Sequence, residues 1–134
     1  MPSVTVSLPI ADRRTALDFY TAAFGFEAVG EHGSDGIPEP LQFELGGGPR
    51  LMLIPRGGFG WVAAPNAVAE AGTSEVLLDL RVDDDAAVEA AVARATAAGA
   101  RLVAGPEAKP WAYTATVADP DGHLWTITSA ASRP

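Results

Sequence analysis

The chain has 134 residues, 48% of them hydrophobic, which is enough for one domain with a sizeable buried core and too little for several. Its formal charge of −8, from 17 acids against 9 bases, argues against nucleic acid or an anionic membrane surface as partner and favours a cationic or neutral one. The absence of cysteine excludes disulfides, thiolate catalysis and sulfur-ligated metals together.

From the N-terminus, MPSVTVSLPIADRR lacks the basic start of a secretory signal, and Pro9 interrupts its apolar run. No stretch nears the roughly 20 apolar residues of a membrane span, so the expectation is a cytoplasmic protein without a membrane partner. VTVSLPI alternates, with Val4, Val6, Leu8 and Ile10 on one face, and reads as a half-buried strand. Asp12 is placed to cap a helix through RRTALDFYTAAF, where Leu17, Tyr20 and Phe24 recur at spacings of three and four, and Gly25 supplies the stop. FEAVGE returns as a strand. After the loop HGSDGIPEP, LQFEL and RLMLI form a hairpin around three glycines.

The order then repeats. EVLLDLRV is a strand, Asp83, Asp84 and Asp85 open the helix AAVEAAVARATAA, Gly99 closes it, ARLVAG is a strand, and AYTATVA with HLWTIT is a hairpin on a DPDG turn. Landmarks align at nearly one offset: helix-opening acids (84 − 12 = 72), helix-closing glycines (99 − 25 = 74), and last strands through Leu53 and Thr126 (126 − 53 = 73). The fold class is therefore α+β, a single domain of two β-α-β-β-β modules at about 3–56 and 74–130, joined by a Gly- and Pro-containing linker at about 57–73.

The paired modules, the FY near the end of the first helix followed by FGF, the LMLIP strand and ADPDGHLW resemble the vicinal oxygen chelate superfamily of glyoxalases, extradiol dioxygenases and fosfomycin and bleomycin resistance proteins. The resemblance spans essentially the whole chain, and DPDGHLW just before the C-terminus is its most specific piece. It implies curved mixed sheets, each forming half of a cup around a ligand cleft, and a homodimer. The DPDG piece itself has a purely structural reason: Pro120 and Gly122 suit a tight turn, and Asp119 is placed to hydrogen-bond its backbone.

In metal-using members, the resemblance implies ligands on the first and last strand of each module. Seven residues before the helix-opening acids stand Thr5 and Leu77; four after Gly122 stands Thr126, with Leu53 as its repeat partner. Two hydroxyls and two leucines are not the nitrogen, sulfur or carboxylate donors a transition metal needs, so no metal or other cofactor is expected. His32 and His123 lack a paired ligand spacing, and the Asp83–Asp85 run lacks the glycine and spacing of a calcium loop. The glycines of ELGGGPR and IPRGGFG do not open a phosphate-binding helix, and no G-x-S-x-G is present.

Strand parity, taken from Thr5 and Leu77, turns Ser7, Asp79 and Arg81 toward the cup. On the last strands it turns Leu51, Leu53, Leu124, Thr126 and Thr128 the same way and leaves Trp125 in the core. Asp79 and Arg81 are either a salt bridge or ligand contacts. Four large rings, Phe59 and Trp61 in GGFGWV and Trp111 and Tyr113 in KPWAY, occupy loop or strand-edge positions suited to stacking on a flat ligand, or to plugging a module or dimer junction. With Phe43, the candidate ligand-binding set is Ser7, Phe43, Leu53, Phe59, Trp61, Asp79, Trp111, Tyr113 and Thr126. The resemblance to bleomycin resistance proteins implies a metal-free binding protein for an antibiotic or other large planar, aromatic molecule. The alternative is a metal-independent lyase, isomerase or tailoring enzyme in which Asp79 or Tyr113 moves protons on a carbonyl or polyketide substrate.

Overall fold

The computed structural model describes residues 2–129. The chain runs β1 (Thr5–Ile10), α1 (Arg13–Phe24), β2 (Ala28–Val29), β3 (Leu41–Glu44), β4 (Arg50–Pro55) and α2 (Arg56–Ala63), then β5 (Leu77–Val82), α3 (Asp85–Ala97), β6 (Arg101–Ala108), β7 (Tyr113–Ala118) and β8 (Leu124–Ser129). It divides into two units between Glu70 and Ala71, with Ala22–Phe24 at the end of α1 counted in the second. Each unit holds a mixed four-stranded sheet, ordered β1-β4-β3-β2 and β5-β8-β7-β6. The β1–β4 and β5–β8 pairs are parallel and the others antiparallel. Among the described residues no helix is long and apolar enough to cross a membrane.

Local chemistry sets the helix ends. Asp12 is extended, and its carboxylate accepts from the Thr15 N–H and hydroxyl, both at 2.8 Å. At the other end of α1, Gly25 takes φ 69°, a left-handed conformation that a side chain would disfavour, and its N–H returns to the carbonyls of Thr21 and Tyr20. Asp84 caps α3 in the same way, accepting from the Ala87 N–H at 2.8 Å.

In the first unit, Leu8, Ile10, Leu41, Phe43, Leu51 and Leu53 are buried together with Ala16, Phe19 and Tyr20 of α1. Tyr20 lies 5.8 Å from Phe43 and 6.2 Å from Phe26, ring centre to ring centre. In the second unit, Val88, Val92 and Ala95 of α3 are buried with Ala115, Val117, Trp125 and Ile127. Phe24 contributes a tilted ring 4.9 Å from Trp125. Each large apolar side chain buried in this way stabilises by about 1.5–3 kcal/mol.

Two polar devices pin the connections. Arg13 crosses to the loop before β3, donating to the carbonyls of Pro38 at 2.6 Å and Ile37 at 3.2 Å and pairing with Asp35 at 2.7 Å and Glu39 at 3.3 Å. In the DPDG turn, Asp119 is buried, and its Oδ1 accepts from the N–H groups of Asp121 at 2.9 Å and His123 at 2.8 Å, as the turn chemistry required.

Three elements depart from the sequence reading. FEAVGE shrinks to the two residues of β2. β6 extends to Ala108 through irregular pairing around Gly105, whose φ of 76° and approach to the Thr114 carbonyl, 2.6 Å from where a Cβ would stand, admit no side chain. The stretch GGFGWV, expected as linker, lies in the eight-residue helix α2, which has no side-chain N-cap. It lies against β1 and β4 although none of its residues is buried and three are glycines, which weaken a helix.

Candidate functional site

Strand pairing decides which side chains share a face. Ser7 stands beside Met52 and Leu8 beside Leu53, while Asp79 stands beside Thr126 and Leu80 beside Ile127. Ser7 and Asp79 are thus equivalent (79 − 7 = 72), and the repeat partner of Thr126 is Met52 (126 − 52 = 74) rather than Leu53. A one-residue slip along a strand turns the side chain to the other face. Leu51 and Leu53 accordingly do not join Ser7. They pair across the sheet with Phe43 and Leu41 on the buried face that Tyr20 contacts, where Leu53 is 1% exposed and Phe43 fully buried. Trp125 is core, as its parity demanded.

On the second sheet, the face opposite the buried Trp125 and Ile127 carries a connected polar cluster. Oδ1 of Asp79 on β5 accepts from the hydroxyls of Thr126 and Thr128 on β8, each at 2.7 Å. Thr128 is buried, and its hydroxyl lies 3.0 Å from that of Thr114 on β7. Since a hydroxyl has one hydrogen and Thr128 gives its own to the carboxylate, Thr114 is the donor of that third bond. Arg81 approaches Asp79 Oδ2 at 3.5 Å, the salt bridge anticipated as one reading of the pair. Asp79 and Thr126 are therefore brought together. Thr114 was missed, although the Thr-x-Thr alternation in both YTATVA and LWTIT places threonines on one face.

The remaining candidates lie elsewhere in their units. Ser7 is half-buried beside Met52. The helix bearing Phe59 and Trp61 packs back on the same two strands, a Cβ at Gly58 standing 3.4 Å from the Ile54 methyl. Phe59 is half-buried, whereas Trp61 is 84% exposed. Trp111 is 70% exposed in the β6–β7 turn, which the Lys109 N–H closes onto the Ala112 carbonyl at 2.8 Å. Tyr113 points its hydroxyl to Glu89 of α3 at 3.3 Å, on the opposite side of the sheet from Asp79. A hollow of about 410 Å³ at the start of α1 is lined by Asp12, Arg13, Arg14 and Asp35. Its arginines already bond Asp35, which leaves it little to offer a ligand.

With the register corrected, the positions that the resemblance marks for metal ligands are Thr5 and Met52 in the first unit and Leu77 and Thr126 in the second. A thioether, two hydroxyls and an alkyl chain do not fit a divalent transition ion. Among the described residues no group of three or more His, Cys, Asp or Glu could hold one elsewhere.

The model of the Glyoxalase/Bleomycin resistance protein/Dioxygenase superfamily matches residues 4–127. The chain belongs to this superfamily. No curated protein matches it. Among solved structures, it is similar to TnmS3, an antibiotic binding protein from Streptomyces sp. CB03234, at 28% identity over 98% of this chain and 97% of the other, with a TM-score of 0.67. Protein ATC0852 from Agrobacterium tumefaciens is 26% identical over 98% and 99% of the two chains, with a TM-score of 0.75. A glyoxalase-related enzyme from Fulvimarina pelagi shares the fold at 24% identity over 96% and 88%, with a TM-score of 0.81.

Proposed function

We propose that this superfamily member is a metal-independent binding protein that sequesters a planar natural product of antibiotic type, serving resistance in the cell that carries it. The observation that carries this reading is the pair of tryptophans, Trp61 and Trp111, held 84% and 70% exposed on two different units. The faces of rings this size suit stacking on an aromatic guest. The similarity to an antibiotic binding protein supports the same reading, as does the lack of metal donors at the family positions.

The exposure also separates binding from stability. Trp61→Ala or Trp111→Ala is expected to change folding stability by no more than about 0.5 kcal/mol in the monomer. The same changes should weaken a planar ligand by about 1–3 kcal/mol, roughly ten- to a hundredfold. Titrating polycyclic antibiotics against tryptophan fluorescence checks this. Saturable quenching that persists unchanged in both single variants would remove these rings from the binding surface.

Within the second unit, Val76 and Leu77 at the start of β5 and Leu102 and Val103 on β6 are between 43% and 62% exposed, apolar side chains that a second copy would cover in the proposed homodimer. Light scattering at micromolar protein should then give twice the 13.8 kDa chain mass, and a monomer there counts against it.

A further inference from the structure

We propose that Asp79 is the anchor for a positively charged nitrogen, so that the guest is cationic as well as planar; this rests on the binding reading above. Each atom of the carboxylate has a defined role. Oδ1 takes both threonine hydrogens at 2.7 Å, and the Thr114 hydroxyl polarises Thr128 from behind at 3.0 Å. That network holds the carboxylate in place across the β5–β8 pair and consumes only one of its oxygens. Among the described residues Oδ2 faces Arg81 alone, at 3.5 Å, and the Arg81 side chain is 65% exposed. An ion pair that long and that wet is weak, and a ligand ammonium or amidinium offering a short charge-assisted hydrogen bond displaces it.

A carboxylate immobilised before the ligand arrives binds without the cost of ordering a flexible side chain. It is also open enough to be reached, its side chain being 37% exposed. The surroundings favour the same charge, since a chain carrying −8 concentrates cations at its surface. An anionic guest would have to bind Arg81 while facing a fixed carboxylate and would meet repulsion there.

The test is calorimetric titration of the full chain with two planar tricycles, cationic proflavine and neutral acridone. Proflavine is expected to bind about tenfold or more tightly than acridone. Asp79→Asn keeps an oxygen for both threonine hydroxyls and should retain the wild-type melting temperature, yet it should bring the two probes within about twofold of each other. Arg81→Gln, which removes the competing cation, should not weaken proflavine. Equal binding of both probes to the wild type, or unchanged proflavine affinity in Asp79→Asn, overturns the anchor and leaves the binding reading standing. Loss of proflavine binding in Arg81→Gln also overturns it. Failure of both probes to bind overturns the anchor together with the reading beneath it.

Discussion

Replacing Trp125 with alanine is expected to cost about 3–5 kcal/mol of folding stability, the largest effect of any single substitution considered. Trp125 is 3% exposed, lies among Val117, Ile127 and the apolar side of α3, and meets Phe24 at 4.9 Å. Truncation removes a large apolar surface and leaves a cavity that strands β7 and β8, paired on both sides, cannot collapse to fill. For a domain of this size, the melting temperature should fall by roughly 10–20 °C. Trp125→Phe should recover most of the loss because it refills part of the space. A loss below about 1 kcal/mol in urea unfolding would show that the ring does not carry the second unit's core.

Arg13→Ala is expected to cost about 2–3 kcal/mol, through a different mechanism. The Arg13 side chain is 18% exposed, and its guanidinium supplies the donors for the part-buried Ile37 and Pro38 carbonyls, which without it lose charge-assisted partners. Arg13→Lys should rescue little, because a single ammonium cannot span two carbonyls and two carboxylates as the planar fork does. The clamp also has a pH signature. Asp35 is held below its ordinary value of 3.8, first by the Ile37 N–H; desolvation opposes this, and the Arg13 charge and hydrogen bond lower it further. Asp12 is held low by the Thr15 N–H and hydroxyl. A carboxyl whose folded pKa is depressed contributes stability above its unfolded value and loses it as pH falls through the folded one. The gap between wild type and Arg13→Ala should therefore be full at neutral pH and shrink as pH drops below about 3.8. A gap that stays constant into that range would show that the Arg13–Asp35 pair contributes nothing.

Both predictions concern the scaffold, and their magnitudes set a standard for the site. A binding role for Trp61 and Trp111 requires that their substitution move affinity while leaving stability nearly untouched, the reverse of Trp125. The same comparison distinguishes Asp79→Asn, which preserves the threonine bonds, from a change that merely unpicks the β5–β8 pair.

What the sequence by itself determined was local. The ends of α1 follow from Asp12 and Gly25, the last turn from the DPDG stretch, and the two-module order from alternation, helical spacing and repeat. These signals act over a few residues, where capping and turn chemistry dominate. Tertiary structure decided the rest. The repeat offset was read as 73 at the last strands, but pairing makes it 74, and that one residue exchanges Leu53 for Met52 on the face shared with Ser7. Register depends on loop lengths and cross-strand packing, which periodicity within one strand does not encode. GGFGWV forms a helix lying against β1 and β4, despite glycines that argue for a loop. Likewise, Arg13 meets its carbonyls 24 and 25 residues away, and Asp79 meets Thr126 and Thr128 at separations of 47 and 49. Such partners become neighbours only when the tertiary structure has formed, because nothing within a few residues of either one encodes the other.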